Sequence, residues 1–178
     1  YGDAAAVHLR RVHYRLISGE PVTLPEGGAY ENTERCWQRL AAAGELHHLM
    51  QRGHNRQSVF VDDRDRTTFL AMLREAAHQC GVAIHGYALL DAEVRLLATP
   101  RDAGSLSRLM QSMGRRYVAA FNRRHNRDGT LWAGRFRAGL IDGALLGADA
   151  LVHVESLPVH AGLARAAGEW PWSSAGHH

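Results

Sequence analysis

The stretch Tyr87–Pro100, YALLDAEVRLLATP, sets two apolar runs around a polar middle and reads as two strands meeting at a tight turn. The middle carries Asp91, Glu93 and Arg95. Side chains two apart on a strand point to the same face. Glu93 and Arg95 are therefore expected side by side, with Val94 pointing the other way. An acid and a base sharing one face at the inner end of a hairpin is the feature the rest of the chain must account for.

Elements can be placed outward from this hairpin. GVAIHGYALL is its first strand and EVRLLATP its second. Upstream, ELHHLMQRG reads as a strand closed by Gly53, and HNRQSVFVDD as a polar loop with an apolar anchor. Asp62 or Asp63 then caps a helix running to about Gln79, with Phe69, Leu70, Leu73 and Ala77 inward. Downstream, Ser105 to His125 reads as a long helix. Leu106, Met110, Met113, Tyr117 and Phe121 form one apolar stripe on it, with Arg108, Arg115, Arg116 and Arg123 opposite. GTLWAGRFRAGLI alternates like a strand and puts Arg135 and Arg137 on one face. A last helix is expected from about Gly147 to Leu157, stopped by Pro158. The order strand, helix, strand, strand, helix, strand, helix predicts an α+β fold, an antiparallel sheet with helices segregated to one side.

Residues 1–44 form an extension of a different character. SGEPVTLPEGGAYENTE is rich in Gly, Pro and acids and reads as loop, followed by a short helix over about Asn32 to Ala43 capped by Asn32 or Thr33. No chemistry can be assigned to it. The 178 residues suit one domain with an appendage. Cys36 and Cys80 belong to no CxxC and read as reduced thiols. No apolar run approaches membrane-spanning length and the start does not resemble a signal peptide, so no membrane partner and a cytoplasmic, nucleoid-associated location are expected.

Charge is informative by position. All 21 basic side chains are arginine. Arg101 to Arg137 contains nine arginines against Asp102 and Asp128, a net of +7, which leaves −4 to the rest of a chain whose total is +3. A basic block in an otherwise acidic chain is the footprint of a polyanion-binding face or of a solvated helix flank.

The motifs HHLMQRGHNRQSVF, GVAIHGYALL, LLATP, SLSRLMQSMGRRYVAAFNRRH, GTLWAGRFRAGLI, PVHAGL and WPWSS, in that order, resemble the REP-associated tyrosine transposases, relatives of the IS200-like single-tyrosine HUH transposases. The resemblance spans about residue 45 to 174, within a domain taken as 45–178. It implies a ferredoxin-like antiparallel sheet backed by helices and cleavage of single-stranded DNA beside short hairpins. It also implies two strand histidines and a helix asparagine holding Mg or Mn, with a tyrosine one turn before the asparagine as nucleophile.

This chain departs from that pattern at all four positions. Where the family has PNHVHLL it has DAEVRLL, so Glu93 and Arg95 stand at the histidines. Where the family has YIELNPV it has HVESLPV, so His153 stands at the nucleophile and Leu157 at the asparagine. The four positions read as a dismantled site with no metal and no cofactor, EVR forming an ion pair or a phosphate-facing arginine. Tyr117 reads as core. His47, His48 and His54 match no zinc spacing.

The binding surface is expected to survive. Arg52, His54, Asn55 and Arg56 make the loop part, and Arg108, Arg115, Arg116, Arg123 and Arg124 line or border the helix part. Arg135 and Arg137 add to it, with Trp132 either a stacking surface for bases or a core aromatic. The expected partner is single-stranded or hairpin DNA, bound by a monomer or a dimer. The rival readings are a working nuclease using His153, Glu93 and Glu155, and a basic module that binds an acidic protein.

Overall fold

The structure, a computed structural model, describes residues 43–177. The helix expected over Asn32 to Ala43 lies almost wholly outside them. The first strand, β1, is Leu46–Arg52 and the first helix, α1, is Asp63–Cys80. The hairpin strands are β2, Val82–Leu90, and β3, Glu93–Pro100. Helix α2, Ser105–Arg124, strand β4, Arg137–Ile141, and helix α3, Gly143–His160, complete the set. The four strands form one sheet in the order β2-β3-β1-β4, every pair antiparallel. This is the ferredoxin-like arrangement.

Local chemistry explains the helix ends. Asp62 caps α1 by accepting from the Asp65 N–H, and Asp63 and Asp65 occupy the positive first turn. Gly81, at φ 65, closes the same helix in the left-handed region. Asp142 caps α3 by accepting from the N–H groups of Ala144 and Leu145, so that helix begins at Gly143 rather than near Gly147. Pro158 does not stop it. The proline lies inside the helix, and the carbonyls of Leu157, Pro158 and Val159 still accept from Ala161, Leu163 and Gly162, which closes the last turn.

The helices do not lie on one side of the sheet. Leu49, Leu89, Val94, Leu96 and Ala98 face α1 and α2 and join Phe69, Leu73, Met113, Tyr117 and Phe121 in the main core. Ala88, Leu97 and Ile141 point the other way and pack with Ala150 and Val154 of α3. The expectation of segregated helices is therefore corrected. A strand that is apolar at successive positions, as β3 is from Val94 to Ala98 apart from Arg95, must be covered on both faces. Gly86 permits the second packing, because a Cβ there would stand 2.5 Å from Leu151 Cδ1 of α3.

Residues 131–136 also differ from expectation. Only Arg137–Ile141 is strand, while Trp132 makes an isolated bridge to Gly53 and Gly134 takes φ 148. Arg135 thus precedes the strand and does not share its register with Arg137. The WPWSS tail covers the outer edge of β2. Leu89 N–H donates to the Trp172 carbonyl, Ser173 bridges Ala88, and Ser174 Oγ accepts from Tyr87 N–H. An exposed edge strand is thereby protected.

Candidate nucleic-acid interface

Register places Glu93 and Arg95 on the sheet face that α3 covers. Arg95 stands opposite Met50, and Met50 opposite Arg137, so one row across the sheet reads Ala88, Arg95, Met50, Arg137. The next row reads Leu90, Glu93, Arg52. Glu93 is bonded on both oxygens. Oε1 accepts from Arg95 Nε at 3.0 Å and Nη2 at 2.9 Å, and Oε2 accepts from Arg52 Nε at 2.6 Å. Arg95 is 4% exposed, whereas the Arg52 side chain is 47% exposed. Burial lowers the Arg95 pKa, Glu93 opposes that, and Arg52 adds to it as a like charge.

The other two altered positions sit on α3. His153 meets His48 of β1 edge to face, with ring centroids 6.2 Å apart. Leu157 packs into the apolar cluster between α3 and the sheet. A divalent ion needs open oxygen or nitrogen donors. Glu93 has both oxygens engaged by guanidinium groups, Arg95 is itself a cation, and Leu157 offers hydrocarbon. These residues do not fit a divalent cation. The three histidines near β1 also diverge. His47 is fully buried, His48 points to α3, and His54 is exposed on the following loop.

Tyr117 is a core residue. It is 1% exposed, its hydroxyl donates to the Val59 carbonyl at 2.6 Å, and its ring touches Phe60, Phe69 and Phe121. Burial pushes its pKa far above the ordinary phenol value, and Asp65 adds to the shift. Trp132, left open by the sequence, is also core at 7% exposure, with its ring 6.2 Å from that of Tyr117. It presents no stacking surface to solvent.

The loop after β1 presents a different picture. Asn55 and Arg56 both take positive φ, 50° and 58°, in a region costly for residues other than glycine. The surrounding hydrogen bonds hold them there. His54 N–H donates to Leu131, Gln57 Nε2 to Leu131, Arg127 to Gln57 Oε1, and Val59 N–H to Asp91. Gly53 is required by crowding, since a Cβ there would stand 2.1 Å from the Gln57 carbonyl oxygen. His54, Asn55 and Arg56 are all exposed on this stapled loop.

The α2 arginines divide into two groups. Arg116 pairs with Glu75 of α1, and Arg124 is held by Asp62 and Asp65. His125 Nε2 lies 2.9 Å from Asp65 Oδ2. Arg108 bonds Ser105 Oγ at 2.9 Å. Arg115 and Arg123 are exposed and pair with no described residue; Arg123 and Arg64 line a cleft between α1 and α2. All of these point away from the sheet, on the side opposite Glu93 and Arg95. The loop part lies at the end of β1, where Gln57 accepts from Arg127 just past α2. Sequence reading also missed Arg66. It is 6% exposed, bonds Asp91 in the β2–β3 turn, and lies over the rings of Phe60 and Trp170.

The family model described as Transposase IS200 like matches residues 45–148, more than half of the chain. The chain belongs to that family. Among solved structures, this IS200-like chain is similar to a REP-associated tyrosine transposase bound to a REP hairpin. The TM-score is 0.63 at 15% identity over 76% of this chain and 79% of the other, a likeness of fold. A transposase candidate of Deinococcus radiodurans R1 aligns at a TM-score of 0.45 and 21% identity, over 61% of this chain and 88% of that one. No curated protein matches. Among the described residues, no helix is long and apolar enough to cross a membrane.

Proposed function

We propose that this IS200-like transposase family member binds single-stranded or hairpin DNA of the REP type and does not cut it. The observation that carries the reading is the Glu93 carboxylate, engaged on one oxygen by Arg95 and on the other by Arg52. The resemblance puts a metal-binding pair on this strand face, and a saturated ion pair stands there instead. His153 replaces the phenol that would attack phosphorus, and Tyr117 is sealed in the core with its proton held by Val59.

Binding is supported by a different set of residues. Arg56, His54 and Asn55 project from a loop held in a strained conformation, and Arg52 borders them. Fixed cationic and polar groups of this kind suit the phosphate backbone, whose contacts make affinity fall steeply with salt. The similar fold of a transposase bound to a REP hairpin supports the same class of ligand.

The test is a gel experiment on a labelled single-stranded REP-type hairpin, with and without Mg²⁺ or Mn²⁺, with the His153→Tyr protein alongside. Retarded, intact DNA in every lane is the expected result. A nicked strand or a covalent protein–DNA adduct with the unaltered protein would overturn the reading. Equal retention of heparin and hairpin, with no preference for DNA structure, would favour an acidic protein partner instead.

A further inference from the structure

Helix α2 contains five arginines and no acid. Two of them are answered by carboxylates around α1, Arg116 by Glu75 and Arg124 by Asp62 and Asp65. Arg115 and Arg123 meet no carboxylate among the described residues, and Arg108 bonds the neutral Ser105 hydroxyl. At 3.6 residues per turn, Arg108 and Arg115 stand within about 20° of one another on the helix surface. Gln111 and Ala119, also exposed, continue the same strip. Like charges in a row with no counter-charge repel one another, so an anionic occupant is stabilising there.

The chain enters the domain beside this row. Gly44 N–H donates to the Pro100 carbonyl, Arg101 N–H donates to the Gly81 carbonyl just past α1, and α2 begins at Ser105. The N-terminal extension therefore joins at the end of the sheet where α2 starts. Between Arg15 and Arg35 it carries Glu20, Glu26, Glu31 and Glu34 and no basic side chain, so four acids give residues 18–34 a net charge of −4. From Glu34 to Gly44 the chain can span up to about 33 Å. The 20 residues of α2 cover about 30 Å, so the whole row lies within reach. A tether of this kind holds the acids at an effective concentration on the order of millimolar, enough for several weak exposed pairs to act together.

We propose that residues 18–34 of this chain dock on the outer face of α2, with their glutamates against Arg108 and Arg115. The inference goes beyond the DNA-binding reading and does not rest on it. It commits this helix face to an acidic segment of the same chain rather than to DNA. The loop after β1, at the other end of that strand from Gly44, then remains as the open cationic face. Charge complementarity and the point of entry carry the assignment, and the four glutamates need no fixed register, because exposed guanidinium groups attract carboxylates over several ångströms.

The experiment treats the full chain at low salt with phenylglyoxal, an arginine-directed reagent, and reads the modification rate of each arginine by mass spectrometry. The exposed Arg56 serves as internal reference. The comparison protein carries Glu20→Gln, Glu26→Gln, Glu31→Gln and Glu34→Gln together. Relative to Arg56, Arg108 and Arg115 are expected to react roughly fivefold more slowly in the unaltered protein, the scale of several exposed pairs acting together. High salt should remove the protection as the four substitutions do. Equal rates in the two proteins overturn the proposal. Protection that fades on dilution overturns it too, since the occupant is then a second molecule, and protection that appears only with added DNA assigns the face to nucleic acid instead. On a heparin column the substituted protein should elute at higher salt, and adding Arg108→Ala with Arg115→Ala should cancel that gain. A gain that survives the two alanines is an effect of net charge alone and counts against docking.

Discussion

Glu93 accepts from two guanidinium groups at once, and the buried Arg95 depends on it for its counter-charge. Glu93→Gln leaves a guanidinium in the interior beside a neutral amide, which costs about 3 kcal/mol on the scale of broken buried pairs. The double change Glu93→Leu with Arg95→Met removes both charges together and is expected to recover most of that loss. Urea unfolding of the three proteins checks this, and a double variant no more stable than Glu93→Gln would remove the pair from the interior account. Tyr117→Phe deletes the hydroxyl that satisfies the Val59 carbonyl, with an expected loss of about 1–3 kcal/mol. Its DNA binding should be unchanged, because the residue touches only core. An equal loss of DNA binding would contradict the placement of Tyr117.

The α1–α2 pair is held at its open end by charge as well as by apolar packing. Arg124 bonds Asp62 and Asp65, and His125 bonds Asp65. Arg124 holds the Asp62 carboxyl well below the usual range. Burial alone would raise Asp65, but the Val61 N–H, His125 and Arg124 outweigh it and lower that carboxyl too. Both groups therefore favour the folded state above the unfolded carboxylate value of about 4 and lose that contribution as pH falls through their lower folded values. Thermal unfolding should drop more steeply below pH ~4 in the unaltered protein than in Asp65→Asn; parallel curves would deny the clamp its role. Arg124→Ala and Arg116→Ala should lower the unfolding temperature, because each breaks a link between helices. Arg56→Ala should leave it within about 0.5 kcal/mol of unaltered stability, as an exposed residue does.

Across the molecule, the cationic side chains fall into a helix group and a group on β1, its loop and β4. Arg115, Arg123 and Arg64 lie on α1 and α2, and Arg52, Arg56 and Arg137 lie at the end of β1, on the loop after it and at the start of β4. A short single strand is expected to engage only the loop region. Arg115→Ala with Arg123→Ala should then leave its affinity within about twofold, while Arg56→Ala lowers it, as measured by anisotropy across a salt series. A loss at least as large from the helix pair would move the main contact to α2. Much of this architecture was legible beforehand. The buried stripe from Leu106 to Phe121 and the shared face of Glu93 and Arg95 appear as read, and of the two candidate caps, Asp62 and Asp63, the structure uses Asp62. The side on which α3 packs was not legible, nor was the fate of Arg116 and Arg124. Arg124 meets Asp62 across 62 positions of chain and Arg116 meets Glu75 across 41, and no local pattern reports such a pairing.

The elements, their order and the family are legible in the chain alone, because helical and strand periodicities are properties of neighbouring residues and the motifs are contiguous. The chain also shows that the altered positions fall in two pairs, Glu93 and Arg95 on one strand and His153 and Leu157 on one helix. Which arginines remain open to a ligand is set by folding. That depends on which acids the folded chain brings beside them: Glu75, Asp62 and Asp65 engage Arg116 and Arg124, Glu93 engages Arg95, and Arg56 is left on the rim of a pocket. A guanidinium is a cation wherever it stands in the sequence, and its availability is fixed by the partner that folding places within hydrogen-bond reach.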